Sequence, residues 1–380
     1  MVSERDVPME KKRNGQRVEF EDIRRRERRR VTPGRAAVLA AVVLLAILAL
    51  TALLLSVKNT GFSDARELSG DEFVFEAGTR QHFAAVGNGL AVASSTGLQL
   101  MDGNGTTIAR QIFSMDTPRA AACGDHAVFY DLGGTALYTT DAKGECTALT
   151  QENAILALTA NSAGYMALVT EDDDYRGRVT VYDENLSAVY EWYSGSGNIL
   201  SAAVSPDSKT LAVLTADSNG SRICLYALTS ETQLAAFEAP NELLLELGWT
   251  DDDRLCAFSS NRAVFLDKNC SALAEVPFAG RLLSFGVSEE GFAAFHTEGR
   301  LNTYDRSGRQ LAELGMDREI LSLSVQGSRL LALYPDEAAL YTRSLVRSGS
   351  YTEVFDARQA LLTDSGALLV QLYTAAPVKF

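Results

Sequence analysis

The chain is poor in the residues on which most catalytic and metal sites are built. It has three histidines, His82, His126 and His296, and none stands in an HxH or HExxH pair. That argues against a histidine-based metal site, which needs its ligands at such spacings. There is no GxSxG elbow and no P-loop, so neither a hydrolase nucleophile on a sharp turn nor a nucleotide cradle can be assigned. Tyr193-Ser194-Gly195-Ser196-Gly197 is glycine-rich but joins two strands and opens no helix. Cysteine is sparse and odd in number: Cys123, Cys146, Cys224, Cys256 and Cys270. No CxxC or Cys/His spacing suggests zinc. Four of the five fall in segments that read as strands, where a buried thiol acts as a small hydrophobe. A Cys123–Cys146 disulfide is the alternative. The reading from these absences is a protein without cofactor or metal, and not an enzyme.

Acidic residues are plentiful, yet they form no recognisable ligand set. Glu171-Asp172-Asp173-Asp174 and Asp251-Asp252-Asp253 lack the DxDxDG spacing that wraps a calcium ion. They read as solvated loops, the second on a tight hairpin where Asp is common for local reasons. Carboxylates are too numerous to single out a pair for glycoside hydrolysis.

Charge is distributed unevenly. Residues 1–35 hold 12 Lys/Arg against 7 Asp/Glu, a surplus that leaves the rest of the chain at −19 against −14 for the whole. The larger part would repel nucleic acid. Between the two lies the one long apolar run, Ala36 to Val57, 22 residues without a charge. As a helix it is long enough to span a hydrocarbon core of roughly 30 Å. Arg24-Arg25-Arg26-Glu27-Arg28-Arg29-Arg30 and Arg35 precede it, and only Lys58 follows before Arg66. That asymmetry places the N-terminus in the cytoplasm and the bulk outside. The run is longer than a signal-peptide core, and Leu55-Ser56-Val57-Lys58 is a poor cleavage site. The expected organisation is a basic, largely disordered tail (1–35), an uncleaved signal-anchor helix (36–57), a linker (58–70) and an extracytoplasmic domain (71–380) in the cell membrane. The Arg24–Arg30 cluster reads as a topology determinant, with contact to anionic lipid or a cytoplasmic partner as the alternative.

Beyond Asn59 the chain shows short apolar runs broken by turn residues and no helical period, which reads as all-β. A turn followed by an apolar run recurs eight times, starting at Leu90, Ala127, Tyr165, Thr210, Leu255, Phe292, Leu330 and Ala367. A second ladder runs in phase: strands that end on Asp102, Asp141, Asp183, Asp267 and Asp305, each followed by Gly or Asn. This is hairpin chemistry, in which Asp caps its own backbone and Gly supplies positive φ. Ala227 and Thr342 replace the Asp in the fourth and seventh units. Four short strands in about 40 residues are the signature of a propeller blade. Seven units are complete and an eighth, from Arg358, has only two clear strands. Glu72-Phe73-Val74-Phe75-Glu76 resembles the missing outer strand. The expected fold is therefore an all-β, eight-bladed β-propeller closed by both ends of the domain, with seven blades as the alternative, preceded by one transmembrane α-helix.

Ser205-Pro206-Asp207-Ser208-Lys209 resembles the SPDGK-like hairpin of WD-repeat and related bacterial propellers, and the plan is similar to the PQQ-like superfamily. Anchor and propeller together resemble membrane-anchored propeller proteins of Gram-positive bacteria grouped only as a domain of unknown function. The resemblance implies fold and not activity. Quinoprotein blades dock through a recurring Trp, whereas this chain has only Trp192 and Trp249, so no quinone cofactor is expected.

The spacings between units are 37 or 38 residues except for two of 45, around units three and four. Most of the excess is expected in loops between second and third strands, Glu171–Gly177 and Asp217–Ser221, beside the connection from Trp192 to Asn198. A raised patch of Asp172, Asp173, Asp174, Tyr175, Arg176, Trp192, Tyr193, Asn198, Asp217 and Asn219 follows. Loops on a rigid scaffold commonly carry binding, and aromatic and charged side chains together suit an interface. Neutral drift in loop length is the bland alternative. The function expected is a non-catalytic scaffold binding a protein or cell-envelope partner. A small-ligand sensor comes second, and a glycan-active or lactonase-like hydrolase third.

Overall fold

A computed structural model describes residues 63–64, 71–76, 78 and 80–380. The expected basic tail and membrane-spanning run lie outside those residues. The described residues form 33 strands and no helix, so among them no helix is long and apolar enough to cross a membrane.

The strands fall into eight sheets, which settles the blade number at eight. Blades 1 to 7 occupy 82–112, 118–148, 155–193, 198–240, 246–277, 282–315 and 322–351. Each is an antiparallel meander of four consecutive strands. Blade 8 takes three strands from 359–378, and its outermost is Phe73–Val74, paired antiparallel with Thr374–Val378. The first strand of each blade lies beside the first strand of the next, and that of blade 8 beside that of blade 1. First strands therefore surround the axis and fourth strands form the rim.

The core is divided among the blade interfaces. Eight buried apolar clusters each join one blade to its successor, from blades 1 and 2 round to blades 8 and 1. Second strands carry most of it: Gly89–Ser94, Met166–Thr170, Phe292–Thr297 and Ala367–Val370 are buried at every position. Both of their faces meet a neighbouring blade, which is why these runs are continuously apolar rather than alternating. Phe73 and Phe75 fill the closing interface against Leu90 and Met101. Without the N-terminal strand, that interface would lose its largest side chains, and blade 8 would present a bare edge.

The Asp ladder has the expected geometry. Asp102 Oδ1 accepts the N–H groups of Asn104 and Thr106, both at 2.9 Å. Asp141, Asp183, Asp267 and Asp305 repeat the pattern at 2.8–3.0 Å. The turns then need one left-handed residue, which is Gly105, Gly144 and Gly308 in three blades but Leu186, Cys270 and Leu345 in others. Those three side chains pack into interface clusters, which offsets the backbone strain. In the SPDSK hairpin Ser208 likewise takes φ 58°, where the related pattern has glycine.

Three features differ from the sequence reading or go beyond it. Ser63–Asp64, inside the expected linker, adds as a fifth, parallel strand at the rim of blade 7, beside Gly349 and Ser350. The extra length of blade 4 is strand and not loop: Thr210–Asp217 and Gly220–Ala227 pair along all eight residues, because Ser218-Asn219 closes the hairpin in a two-residue turn. The five cysteines are free thiols. Cys123 and Cys146 sit on the innermost and outermost strands of blade 2. Three strand spacings, about 14 Å, are too far for a bond that needs its Cα atoms within about 7 Å.

Candidate functional site

Blades 3 and 4 carry the residues singled out by the long spacings; Tyr175, Trp192 and Tyr193 line one groove and Asp217 and Asn219 another, while Asp172, Asp173, Asp174, Arg176 and Asn198 line neither. The wider, of 680 Å³, is lined by Tyr175, the blade 3 rim strand Ala188–Tyr193, and Glu231 of blade 4. The narrower, of 210 Å³, runs along the blade 4 hairpin past Ser196, Asp217, Asn219, Arg222 and Glu238.

In the wider groove the Tyr175 and Tyr193 rings lie 5.0 Å apart, and both stay substantially exposed, at 51% and 37%. The 171–177 loop is fixed from within: Asp172 Oδ1 accepts the N–H groups of Asp174 and Tyr175, and Arg176 N–H donates to the Ser194 carbonyl at 2.9 Å. Asp173, Asp174 and Arg176 project to solvent. Trp192 plays a different part. It lies half-buried against Tyr226, 5.7 Å between centroids, in the cluster joining blades 3 and 4. Asn198 is a ladder residue opposite Ala216. Asp217 caps the tip of the hairpin by accepting Asn219 N–H at 2.7 Å, while Asn241 N–H donates to the Asn219 carbonyl. Tyr175, Trp192 and Tyr193 thus come together, and Asp217 and Asn219 line the neighbouring groove.

Register exposes a feature of this rim that the sequence pattern hides. In blades 5 and 6 the third strand opens on an arginine, Arg262 or Arg300, that reaches a fourth-strand glutamate thirteen residues on, Glu275 or Glu313. The residues directly opposite those arginines are Pro277 and Gly315, which leave the path clear. Blade 3 has the same pair at the same spacing, Arg178 and Glu191, but Tyr193 stands opposite the arginine. The Tyr193 hydroxyl donates to Glu191 Oε2 at 2.9 Å. That bond to a carboxylate pushes the phenol above its ordinary range, opposed by the nearby Arg178 guanidinium. Arg178 Nε is buried without a hydrogen bond. Blade 3 has exchanged a rim ion pair for an exposed tyrosine. The Arg-to-Glu spacing of thirteen was readable in the sequence and is the signal that could have located this.

Two further polar networks escaped the sequence reading. Glu337, almost fully buried, takes Arg318 at 2.6 Å and Arg347. Arg318 also stacks on the Tyr334 ring, 4.2 Å from its centroid, and burial pushes that phenol up. Glu242, from the connection into blade 5, receives Arg262 through both carboxylate oxygens and Ser259 Oγ at 2.8 Å. Arg262 holds the Glu242 carboxyl below its ordinary range. In both networks each carboxylate oxygen is paired, as structural ion pairs require. Among the histidines, His82 Nδ1 accepts Ala120 N–H across the blade 1–2 interface at 3.2 Å, and His296 contacts Ser284 Oγ at 3.1 Å. Burial holds both rings below the ordinary histidine value. Among the described residues no three His, Cys, Asp or Glu side chains are grouped to hold a metal ion.

Eight four-stranded blades in a closed ring define a β-propeller. Residues 65–357 match the family of unknown function DUF5711, and the chain belongs to that family. Solved structures share the fold at low identity. The C-terminal WD40 domain of Sif2 superposes with a TM-score of 0.60 at 14% identity, covering 84% of this chain and 99% of that one. BamB from Moraxella catarrhalis gives 0.55 at 12%, covering 82% and 99%. Sqt1 from Chaetomium thermophilum gives 0.60 at 13%, covering 83% and 100%. No curated protein sequence matches the chain. At these identities the likeness concerns fold alone.

Proposed function

We propose that this chain is a membrane-anchored, extracytoplasmic propeller that acts as a non-catalytic scaffold for a protein or cell-envelope partner. The observation that carries the reading is the groove on blade 3, where the Tyr175 and Tyr193 rings meet at a tilt in the open beside acidic side chains. Exposed tyrosines on a rigid frame supply contact area at small entropic cost, as binding surfaces need. Anchoring rests on the apolar run 36–57 and its arginine-rich flank.

The test is crosslinking of the full-length protein in its own membrane, comparing wild type with Tyr175→Ala and Asn219→Ala. The scaffold reading expects one partner to be trapped by wild type and reduced by these exposed substitutions at unchanged thermal stability. Equal trapping by all three would remove the site. Trp192 is unsuitable here, because its ring belongs to the blade 3–4 core and truncation would confound binding with folding.

A further inference from the structure

We infer that the rim strand of blade 3, Ala188–Tyr193, is a strand-addition site for an extended, basic segment of a partner protein. The inference rests on the scaffold reading above and specifies its chemistry. A rim strand offers a row of unpaired backbone groups, which proteins ordinarily blunt. This propeller blunts its other rims by several means. Ser63–Asp64 covers blade 7. The rim strand of blade 8 has two residues and that of blade 2 three. Blades 1 and 6 also turn backbone groups outward but carry charged, paired side chains along them, Arg110 with Glu76 and Glu313 with Arg300.

Blades 4 and 5 use proline, and its position is informative. In each blade the residue after the rim strand donates its N–H inward: Asn241 to Asn219, Phe278 to Asn261, Ser194 to Gly177. Alternation then turns the last strand residue outward. That residue is Pro240 in blade 4 and Pro277 in blade 5, so the outward donor is missing there. In blade 3 it is Tyr193. Tyr193 and, two residues back, Glu191 therefore present their N–H and C=O groups to solvent. The strand reads Ala-Val-Tyr-Glu-Trp-Tyr, with no proline or glycine and four residues of high β-propensity. The groove around it holds room for the side chains of an added strand.

The occupant follows from charge. Glu191 and Glu231 line the groove and Asp173 and Asp174 flank it, four carboxylates against the two guanidiniums of Arg176 and Arg178 at its edge. A second copy paired edge to edge would bring two Glu191 carboxylates together, which is unfavourable. Lysine or arginine at alternate positions of an incoming strand would meet Glu191 instead, and apolar residues between them would lie against the Tyr190 and Trp192 side. Addition to a rim already occurs within the molecule, at blade 7.

The probe is a short synthetic peptide alternating lysine and valine, titrated against the full-length chain by fluorescence anisotropy. Three controls accompany it: the peptide N-methylated at alternate amides, a glutamate-for-lysine version, and the Tyr193→Pro protein. Tyr193→Pro copies blades 4 and 5 and removes only an outward N–H from the backbone ladder. Glu191→Lys is a second variant that keeps both N–H groups. Strand addition expects each peptide control and Tyr193→Pro to bind about tenfold weaker or worse, and Glu191→Lys to favour the acidic peptide. Binding that survives N-methylation, or no binding of the lysine–valine peptide to wild type, would overturn it. A dimer in sedimentation that Tyr193→Pro dissolves would overturn it in favour of a second copy. Failure here with partner crosslinking still dependent on Tyr175 would leave the scaffold reading standing, whereas loss of both would remove it too.

Discussion

In blade 6, Arg300 reaches Glu313 thirteen residues away at 2.9 Å, over a glycine that leaves the way open. In blade 3, Arg178 and Glu191 hold the same positions, but Tyr193 lies between them and takes the glutamate for its hydroxyl. One rim is closed on itself by charge. The other leaves an arginine donor unmet and a tyrosine exposed. A repeat protein makes this difference easy to interpret, because the two rims share strand order, register and turn chemistry. A departure from the repeat that packing and turn chemistry do not account for is where grafted function is to be sought.

The largest expected contrast is between arginines. Arg262→Ala in blade 5 would strand the half-buried Glu242, which it grips through both oxygens, and should cost about 2 kcal/mol. Arg178→Ala in blade 3 breaks no carboxylate pair, removes the orphaned Nε and gives up only a bond to the exposed Tyr193 hydroxyl, so its cost should stay below about 1 kcal/mol. Urea denaturation midpoints compare the two directly. Equal losses would mean that blade 3 retains an ion pair in solution.

Next comes the exchange of the intervening residue. Tyr193→Gly should let Arg178 reach Glu191 as Arg300 reaches Glu313, changing stability by less than about 1 kcal/mol while abolishing partner crosslinking. A double-mutant cycle over Arg178 and Glu191 in that background measures the restored coupling. No coupling would show that the glycine alone does not set the pairing.

The smallest effect concerns pH. Hydrogen bonds from the backbone, Ser271 N–H foremost, hold Asp267 in the blade 5 turn below the ordinary carboxylate range. A depressed folded-state pKa stabilises the protein above the unfolded value, and that contribution is lost as pH falls below about 4. Asp267→Asn should therefore flatten the acid limb of the stability profile and leave the neutral region little changed in slope. An unaltered acid limb would place the acid sensitivity elsewhere, for instance in the buried histidines His82 and His296. Those would register higher, as pH drops through about 6.5, because a ring kept neutral in the fold must then charge.

Much of the architecture could be read in advance because it is local. Asp102, Asp141, Asp183, Asp267 and Asp305 write each turn into a few consecutive residues, and second strands buried on both faces leave unbroken apolar runs. Closure by Phe73–Val74 was legible because an incomplete eighth unit needs a fourth strand. Ser63–Asp64 on blade 7 was not, since two polar residues carry no strand pattern and only the neighbouring rim makes them one. Blade 4 misled for a related reason: Asp217 and Asn219 look like loop residues, yet a two-residue turn lets the strands run up to them. That Tyr175 and Tyr193 would lie close together was legible from the loop and strand spacings. The reason Tyr193 stands exposed over Glu191 was not, because it depends on which residue faces Arg178 across the sheet.

The most direct measurement is photo-crosslinking from two equivalent rim positions, 193 in blade 3 and 315 in blade 6, in the full-length protein in its own membrane. The account predicts that a protein partner is trapped from position 193 and not from 315, and that a partner peptide rich in lysine or arginine carries the crosslink. Equal trapping from both positions, or trapping from 315 alone, would contradict it.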